Sequence, residues 1–402
     1  GPALAPRHLP MRLLILTNLY PPQELGGYGR SMADFAWALQ QRGHQVHVLS
    51  SDAPHLGPST SKGPSGEHVD RRLRLKGTYE GGVRPLQDAQ QRQRLDQANQ
   101  LAIRSLWQQQ GPFDGVLVGN IDLLGVEVLQ LLLRLGVKVL HHIGFVNPPF
   151  PAESMPRSPN YQLVGASKAV SVALLQAGLG SQAAPVVYPG VRCELFGAHA
   201  TGRALPPPLG GSARPVQLGT ISNPLRVCFA GLLMGSKGAH TLVEALIRMH
   251  QRGFAVEGYL AGGTFQAGYR EQLENFLHQN NLNQVSFLGQ LNRSQLARCF
   301  RLHHICVFPS IHPEAFGIVG AEAMASGLAL VSSAVGGAAE VFEPGVSGLS
   351  FHAGDASDLS EKLISLCGDP HQLITLSRCA EKRARSELNV LRSAQQLEAL
   401  LL

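Results

Sequence analysis

Short apolar runs alternate with stretches of helical periodicity along most of the chain, and this alternation limits the possible folds more than any other feature. The first run, Arg12-Leu-Leu-Ile-Leu-Thr17, reads as a buried strand. Tyr20-Pro21-Pro22 and a glycine turn, Gly26-Gly27-Tyr28-Gly29, follow it. Met32, Phe35, Ala36 and Leu39 then recur at helical spacing, with Gly43 where a helix-terminating glycine belongs. Val46-His-Val-Leu49 is a second strand. Strand, glycine turn, helix and strand in close succession make a βαβ unit, the seed of a parallel, doubly wound sheet.

The pattern continues with strands expected at 116–119, 137–143, 162–165 and 186–188. Residues 52–68, rich in Pro, Gly, Ser and His, read as an irregular surface loop. Residues 193–224 turn to Gly, Pro, Ala and Ser with hardly any periodicity, the composition of a linker. Alternation restarts at Leu225, with strands at 226–230, 256–260, 285–288, 305–308 and 328–332. Helices are expected near 238–252, 269–280, 294–302 and 318–326. The expected architecture is α/β: two Rossmann-like, doubly wound parallel-sheet domains, 11–192 and 225–385, facing an interdomain cleft. A final helix over 386–402 has no strand left to pair with. A cleft between domains is the usual place for a ligand.

Composition acts mainly by exclusion. With 44% hydrophobic and 15% charged residues, the chain is globular and not disordered. Its most apolar stretch, Leu123–Leu140, carries Glu127, Arg134 and Lys138, so no membrane-spanning helix is expected. Leu13–Leu16 is too short for a secretory signal core. Six cysteines without a C-x-x-C pair suggest neither a disulfide scaffold nor a zinc site, and point to a reducing cytoplasm.

The net charge of +6 is unevenly spread. Residues 71–104 hold eight basic side chains (Arg71, Arg72, Arg74, Lys76, Arg84, Arg92, Arg94, Arg104) against Glu80, Asp88 and Asp96. The segment 86–107 reads as a helix with Leu95, Ala98, Ala102 and Leu106 on one face. Two readings stay open: a solvated helix face, or peripheral attraction to an anionic inner-membrane surface or acceptor. Nucleic acid is not expected, because aromatic residues do not interleave with the basic ones.

Three segments carry chemistry. The turn at Gly26 and Gly27, between strand and helix, can bring backbone amides to an anion, or it can be a plain tight turn. It does not match G-x-G-x-x-G. Gly231-Leu-Leu-Met-Gly-Ser-Lys237-Gly238 places a lysine and free amides before a helix, which suits a diphosphate. A solvated lysine in a surface turn is the alternative. The strongest pattern is His312-Pro-Glu314-Ala-Phe-Gly-Ile-Val-Gly-Ala-Glu322-Ala-Met-Ala-Ser-Gly327. Glu314 falls in a strand-to-helix loop, and Glu322 one or two turns into the helix. Such acids can accept hydrogen bonds from sugar or ribose hydroxyls, or can be ordinary surface carboxylates.

Glu314-x7-Glu322 with Phe316-Gly317, then Gly336-Gly337-x-x-Glu340, resembles the signature of glycosyltransferase family 4. So do Gly231…Lys237-Gly238, Tyr188-Pro-Gly-Val-Arg192…Phe196 and Tyr20-Pro-Pro…Gly26-Gly27…Arg30, all in family order. The resemblance implies a GT-B fold and a retaining hexosyltransferase that uses a nucleotide-sugar, UDP-sugar before GDP-sugar, and no cofactor or catalytic metal. No D-x-D triplet occurs. It further implies an acceptor-side first domain, a donor-binding second domain, and a last helix that crosses back to the first. Lys237 would hold the diphosphate, Glu322 the ribose, and Glu314 the sugar. The amides of Phe316, Gly317 and Ile318 would cap sugar and phosphate, Leu291 would border the base, and Gly26 and Gly27 would close over the phosphates. Retention implies that a departing phosphate oxygen takes the proton of an unidentified acceptor hydroxyl, which leaves Glu314 as a positioning group.

Two departures stand out. Leu232 occupies the position where relatives carry an arginine, and Arg30 or Arg226 are candidates to replace it. Gly144 occupies the position of a histidine at the sugar, directly after His141 and His142. His142, two residues before it, shares its strand face and joins Glu314 and Lys237 as a catalytic candidate. Arg30, His141 and Asn147, the last in Asn147-Pro-Pro-Phe-Pro151, are candidates for the acceptor side. Two other readings fit the same residues: a nucleotide-sugar-binding protein without catalysis, and a GT-B sugar-nucleotide epimerase.

Overall fold

Leu13, Leu14, Ile15 and Leu16 are all at most 1% exposed, so the first strand has no solvent face and must be covered on both sides. The structure, a computed structural model, describes residues 10–26, 28–211 and 214–402. It divides into one unit that runs to Gly190 and includes Val390–Leu402, and a second over Val191–Asn389.

Unit 1 contains β1 (Arg12–Leu16), β2 (Gln45–Ser51), β3 (His68–Leu73), the small antiparallel pair β4 (Gly77–Thr78) and β5 (Arg84–Pro85), β6 (Gly115–Val118), β7 (Val139–Ile143) and β8 (Tyr161–Gly165). Its six-stranded sheet has the order β3-β2-β1-β6-β7-β8, parallel throughout. Crossovers are made by α1 (Tyr28–Gln41) between β1 and β2, α2 (Ala89–Gln110) before β6 and α3 (Glu127–Arg134) between β6 and β7, while α4 (Lys168–Gln176) follows the last strand, β8. Asp88 caps α2 through the amides of Gln90 and Gln91, and α2 buries Asn99, Ala102, Ile103 and Leu106 while Arg92, Arg94 and Arg104 stay exposed.

Unit 2 repeats the plan with β9 (Leu225–Ala230), β10 (Val256–Ala261), β11 (Val285–Gly289), β12 (Ile305–Phe308), β13 (Ala329–Ser332) and β14 (Leu349–Ser350), in the order β11-β10-β9-β12-β13-β14. Its pairs are also all parallel. Helices α5 (Ala198–Thr201), α6 (Ala239–Gln251), α7 (Tyr269–Gln279), α8 (Arg293–Phe300), α9 (Ile318–Ala325), α10 (Ala356–Gly368) and α11 (Pro370–Ser386) belong to it. Among the described residues, no helix is long and apolar enough to cross a membrane.

Three segments differ from the sequence reading. Residues 68–73 form β3, an edge strand in which only Val69 and Leu73 are buried, so apolar patterning barely marks it. Residues 186–188 contribute one bridge, Gly165 to Val186, and no strand. The described part of 193–224 is not a free linker but belongs to unit 2. Arg301 Nε donates to Arg203 O at 2.8 Å, His304 Nε2 to Pro207 O at 2.9 Å, and Arg385 Nη2 to Phe196 O at 3.0 Å. Side chains reaching backbone carbonyls leave no periodicity in the segment they hold.

The last helix, α12 (Val390–Leu401), returns to unit 1, where Val390, Ala394, Leu397 and Leu401 join the core around Phe35, Ala36 and Leu39. Glu398 sits among them at 3% exposure. It accepts from Arg42 Nε at 2.7 Å and Nη2 at 2.9 Å, and from His44 Nε2 at 2.7 Å. His44 Nδ1 in turn accepts the Met11 amide at 3.0 Å, which fixes its tautomer. The Arg42 hydrogen bonds hold the Glu398 carboxyl down to about 2, against the opposing effect of burial. Glu398→Ala is expected to remove about 2 kcal/mol from the docking of α12, read as faster amide hydrogen exchange in that helix. In the native chain this stabilisation is complete above the ordinary glutamate pKa and is lost as pH falls towards about 2.

Candidate active site

The strand order of unit 2 reverses between β9 and β12, and these strands pair only through Ile305–Val227 and Cys306–Cys228. The loops leaving their C-terminal ends flank the point where crevices open in doubly wound sheets. After β9, the chain makes a single turn over Gly235–Lys237 that stops at Gly238, whose φ is +76°. A Cβ there would lie 1.9 Å from the Pro309 carbonyl oxygen, so glycine is required for the two loops to touch. The amide of Ile311 donates to Ser236 O at 2.9 Å, binding the loops together.

Across this contact, Lys237 Nζ meets Glu314 Oε1 at 2.8 Å, and Ser310 Oγ donates to the same oxygen at 2.7 Å. The backbone of Glu314 is fixed independently. Its amide donates to Val335 O at 3.2 Å, and its carbonyl accepts the Gly337 amide at 2.7 Å. A Cβ on Gly336 would come within 2.6 Å of the Glu314 carbonyl oxygen, which accounts for the glycine at 336. The Lys237 and Glu314 side chains are 32% and 16% exposed, so their pair contributes little to stability and lies open to a competing anion.

Phe316 is buried, and Gly317 starts α9, whose first-turn amides, Ile318 onward, point back along the helix axis. Glu322 lies inside α9 at 2% exposure. Leu291 is half-buried just beyond β11, on the outer side of the sheet, directly before the Asn292 cap of α8. The structure therefore gathers Lys237, Glu314, Phe316, Gly317 and Ile318 at one switch point. Sequence reading missed Ser310, because a serine between a strand and a loop carries no periodic signal.

Arg226 cannot replace the arginine absent at Leu232. It lies at the opposite, N-terminal end of β9, where its Nε pairs with Glu257 at 2.7 Å.

In unit 1 the order reverses between β1 and β6, and the amide of Asn18 donates to Asn120 O at 2.8 Å across that point. Gly26, with φ +74°, precedes α1, and Arg30 lies in its first turn. Gly27 lies outside the described residues. At the C-terminal ends of β6 and β7, a cavity of about 250 Å³ is lined by Asn120, Asp122, His141, His142, Gly144 and Asn147 among others.

His141 and His142 are buried on opposite faces of β7. His141 Nε2 donates to Gly119 O at 3.1 Å, and its Nδ1 accepts from the Tyr161 hydroxyl at 2.7 Å. His142 Nε2 donates to Val187 O at 2.8 Å, and its ring stands edge-on to Phe35 at 5.1 Å. Burial pushes His141 down to about 3 and His142 down to about 4, so both rings are neutral at neutral pH.

Part of the basic segment is occupied internally. Arg71 donates to Thr60 O at 2.8 Å and to Pro21 O at 3.0 Å, holding the Tyr20-Pro21-Pro22 turn. Arg72 pairs with Asp70 and Lys76 with Asp96, each at 2.7 Å.

Comparison with known proteins bears on unit 2 first. The family description "Glycosyl transferases group 1" matches residues 214–386, a stretch that contains both switch-point loops. These residues are a group 1 glycosyltransferase domain. Over a longer span the chain is similar to glycogen synthase of Mycobacterium tuberculosis, 25% identical over 405 residues that cover 94% of this chain and 91% of that protein. Two solved structures share its fold. Anabaena Alr3699/HepE in complex with UDP-glucose has a TM-score of 0.69 at 20% identity, covering 97% of this chain and 99% of that one. Sucrose-phosphate synthase from Thermosynechococcus elongatus has a TM-score of 0.73 at 20% identity, covering 97% and 98%. Two α/β units, each with a six-stranded parallel sheet, make this a GT-B fold. The group 1 domain and the full-length relatives make the chain an enzyme of the glycosyltransferase class.

The buried histidines of unit 1 yield a direct expectation. In a nitrogen-15 NMR titration, neither His141 nor His142 takes up a proton between pH 8 and pH 5. A midpoint near the ordinary histidine value for either ring would contradict its assigned burial and hydrogen bonding.

Proposed function

We propose that the chain is a retaining glycosyltransferase of family 4, which moves a hexosyl group from a UDP-sugar to an acceptor hydroxyl without a metal ion. The observation that carries this reading is the Lys237–Glu314 pair at the switch point of the group 1 domain. A diphosphate arriving there competes with Glu314 for the Lys237 ammonium and meets the amino end of α9, which favours negative charge. Glu314, released from Lys237 but still held through its backbone, then accepts from a sugar hydroxyl. Glu322 is assigned to the ribose hydroxyls and Leu291 to the border of the base.

The bond from the anomeric carbon to the phosphate oxygen breaks as the acceptor oxygen bonds to that carbon on the same face. The acceptor proton passes to the departing phosphate oxygen, so no protein base is needed. The cavity beside Gly144 and Asn147 is assigned to the acceptor. Neutral His141 and His142 shape its wall rather than carry a proton, which replaces the catalytic role expected for His142 from sequence.

Calorimetric titration tests the donor assignment with UDP, UDP-glucose, GDP and ADP. UDP and UDP-glucose are expected to bind, with Lys237→Ala and Glu322→Ala each weakening UDP at least about tenfold, or 1.4 kcal/mol. Glu314→Gln should retain UDP affinity and lose turnover. A folded chain that binds none of these nucleotides would refute the proposal.

Peripheral attraction to an anionic membrane is a separate part of this reading, supported by the exposed Arg92, Arg94 and Arg104 of α2. Liposome flotation should recover the chain with acidic lipid and not with neutral lipid, and replacing these three arginines by glutamine should abolish recovery. No flotation with either lipid removes the membrane contact.

A further inference from the structure

The proposed reaction leaves one side-chain cluster of unit 1 unused. His47 on β2 and His68 on β3 are direct partners across the parallel ladder, with ring centroids 4.6 Å apart. Asp70, two residues along β3, shares the face of His68, because side chains alternate along a strand. One nitrogen from each ring and one oxygen of Asp70 all lie within 4.8 Å of one another.

The cluster contains an unexplained atom. His47 Nε2 is buried and has no hydrogen-bond partner. A buried ring nitrogen without a partner is unfavourable and requires a physical account. The other members are open to a ligand: His68 is exposed, so its ring can rotate, and Asp70 is half-buried. Asp70 is held by Arg72, whose amide and Nε donate to Oδ1 at 3.1 and 2.9 Å and whose Nε and Nη2 reach Oδ2 at 2.8 and 2.7 Å, so a cation here takes the place of the partly exposed Arg72 guanidinium. Behind His47 stands Phe113 at 6.0 Å, itself abutted by Trp107 at 5.1 Å, an apolar backing that limits movement of the ring.

We propose that His47, His68 and Asp70 bind one Zn²⁺ ion, with water in the remaining position. Two imidazoles and one carboxylate suit zinc rather than the oxygen-preferring magnesium or calcium ions. Bond lengths of about 2.0–2.2 Å require the three ligand atoms to draw closer than in the empty site, and exposed His68 supplies that freedom. The cluster lies towards the N-terminal ends of β2 and β3, whereas the loops of the proposed reaction leave the C-terminal ends of strands. A bound ion therefore clamps the edge strand β3 to β2 and takes no part in transfer.

The full chain, stripped with EDTA, is titrated with ZnCl₂ by calorimetry in a non-chelating buffer, with MgCl₂ as control. One saturable zinc site is expected, no magnesium response, and slower amide hydrogen exchange in β3 when zinc is present. His68→Gln changes an exposed side chain and Asp70→Asn a half-buried one whose pair with Arg72 is partly open to solvent, and both should melt near the parent chain without zinc. Each should weaken zinc binding at least about tenfold, the loss typical even of outer-shell changes at metal sites. Absence of a saturable zinc site overturns the proposal, and so does undiminished affinity in either variant.

Discussion

Parallel strands buried on both faces cannot be joined by tight hairpins, so every connection within the two large sheets must cross over through a helix or a long segment. In both units the strand order then reverses once, between β1 and β6 and between β9 and β12. Chemistry collects at these reversals because loops from two directions leave adjacent strand ends there. Lys237 and Glu314 are 77 positions apart in sequence, and the β9–β12 reversal brings them to 2.8 Å.

The charged contacts fall into two kinds. Glu398, Arg42 and His44 form a network within the core of unit 1 that ties the last helix to α1, and burial makes it matter for stability. Lys237 and Glu314 are partly open to solvent, and Glu314 keeps its backbone hydrogen bonds whether or not the lysine is paired. A weak pair on a rigid backbone suits a site whose cation is to be taken over by a ligand. With Arg226 at the far end of β9, unit 2 offers the proposed donor Lys237 and the amino end of α9, and Arg30 in the first turn of α1 is the other candidate cation named from sequence.

Much of the fold was legible from local pattern. Strands such as β1 and β12 are continuous apolar runs, and α6 and α9 follow glycine-bearing loops where the residue types predict them. Legibility failed where partners, and not composition, hold the chain. β3 is an edge strand with two buried residues, and Phe196, Arg203 and Pro207 are fixed by side chains elsewhere in unit 2 that reach their carbonyls. Arg71 belongs to a basic segment that suggested a surface role, yet it holds the Tyr20-Pro21-Pro22 turn by hydrogen bonds to backbone carbonyls.

By itself the sequence determined the alternation of strands and helices, the glycines that allow two loops to approach, and the acids and lysine beside them. These are properties of periodicity and residue type, which act over a few neighbours. Only the tertiary structure decided which distant groups meet. It spent the Nε2 hydrogens of His141 and His142 on backbone carbonyls, moved Arg226 out of contention, and set His47 beside His68 and Asp70. Strand register and burial govern those outcomes, and both depend on contacts between residues far apart in the chain.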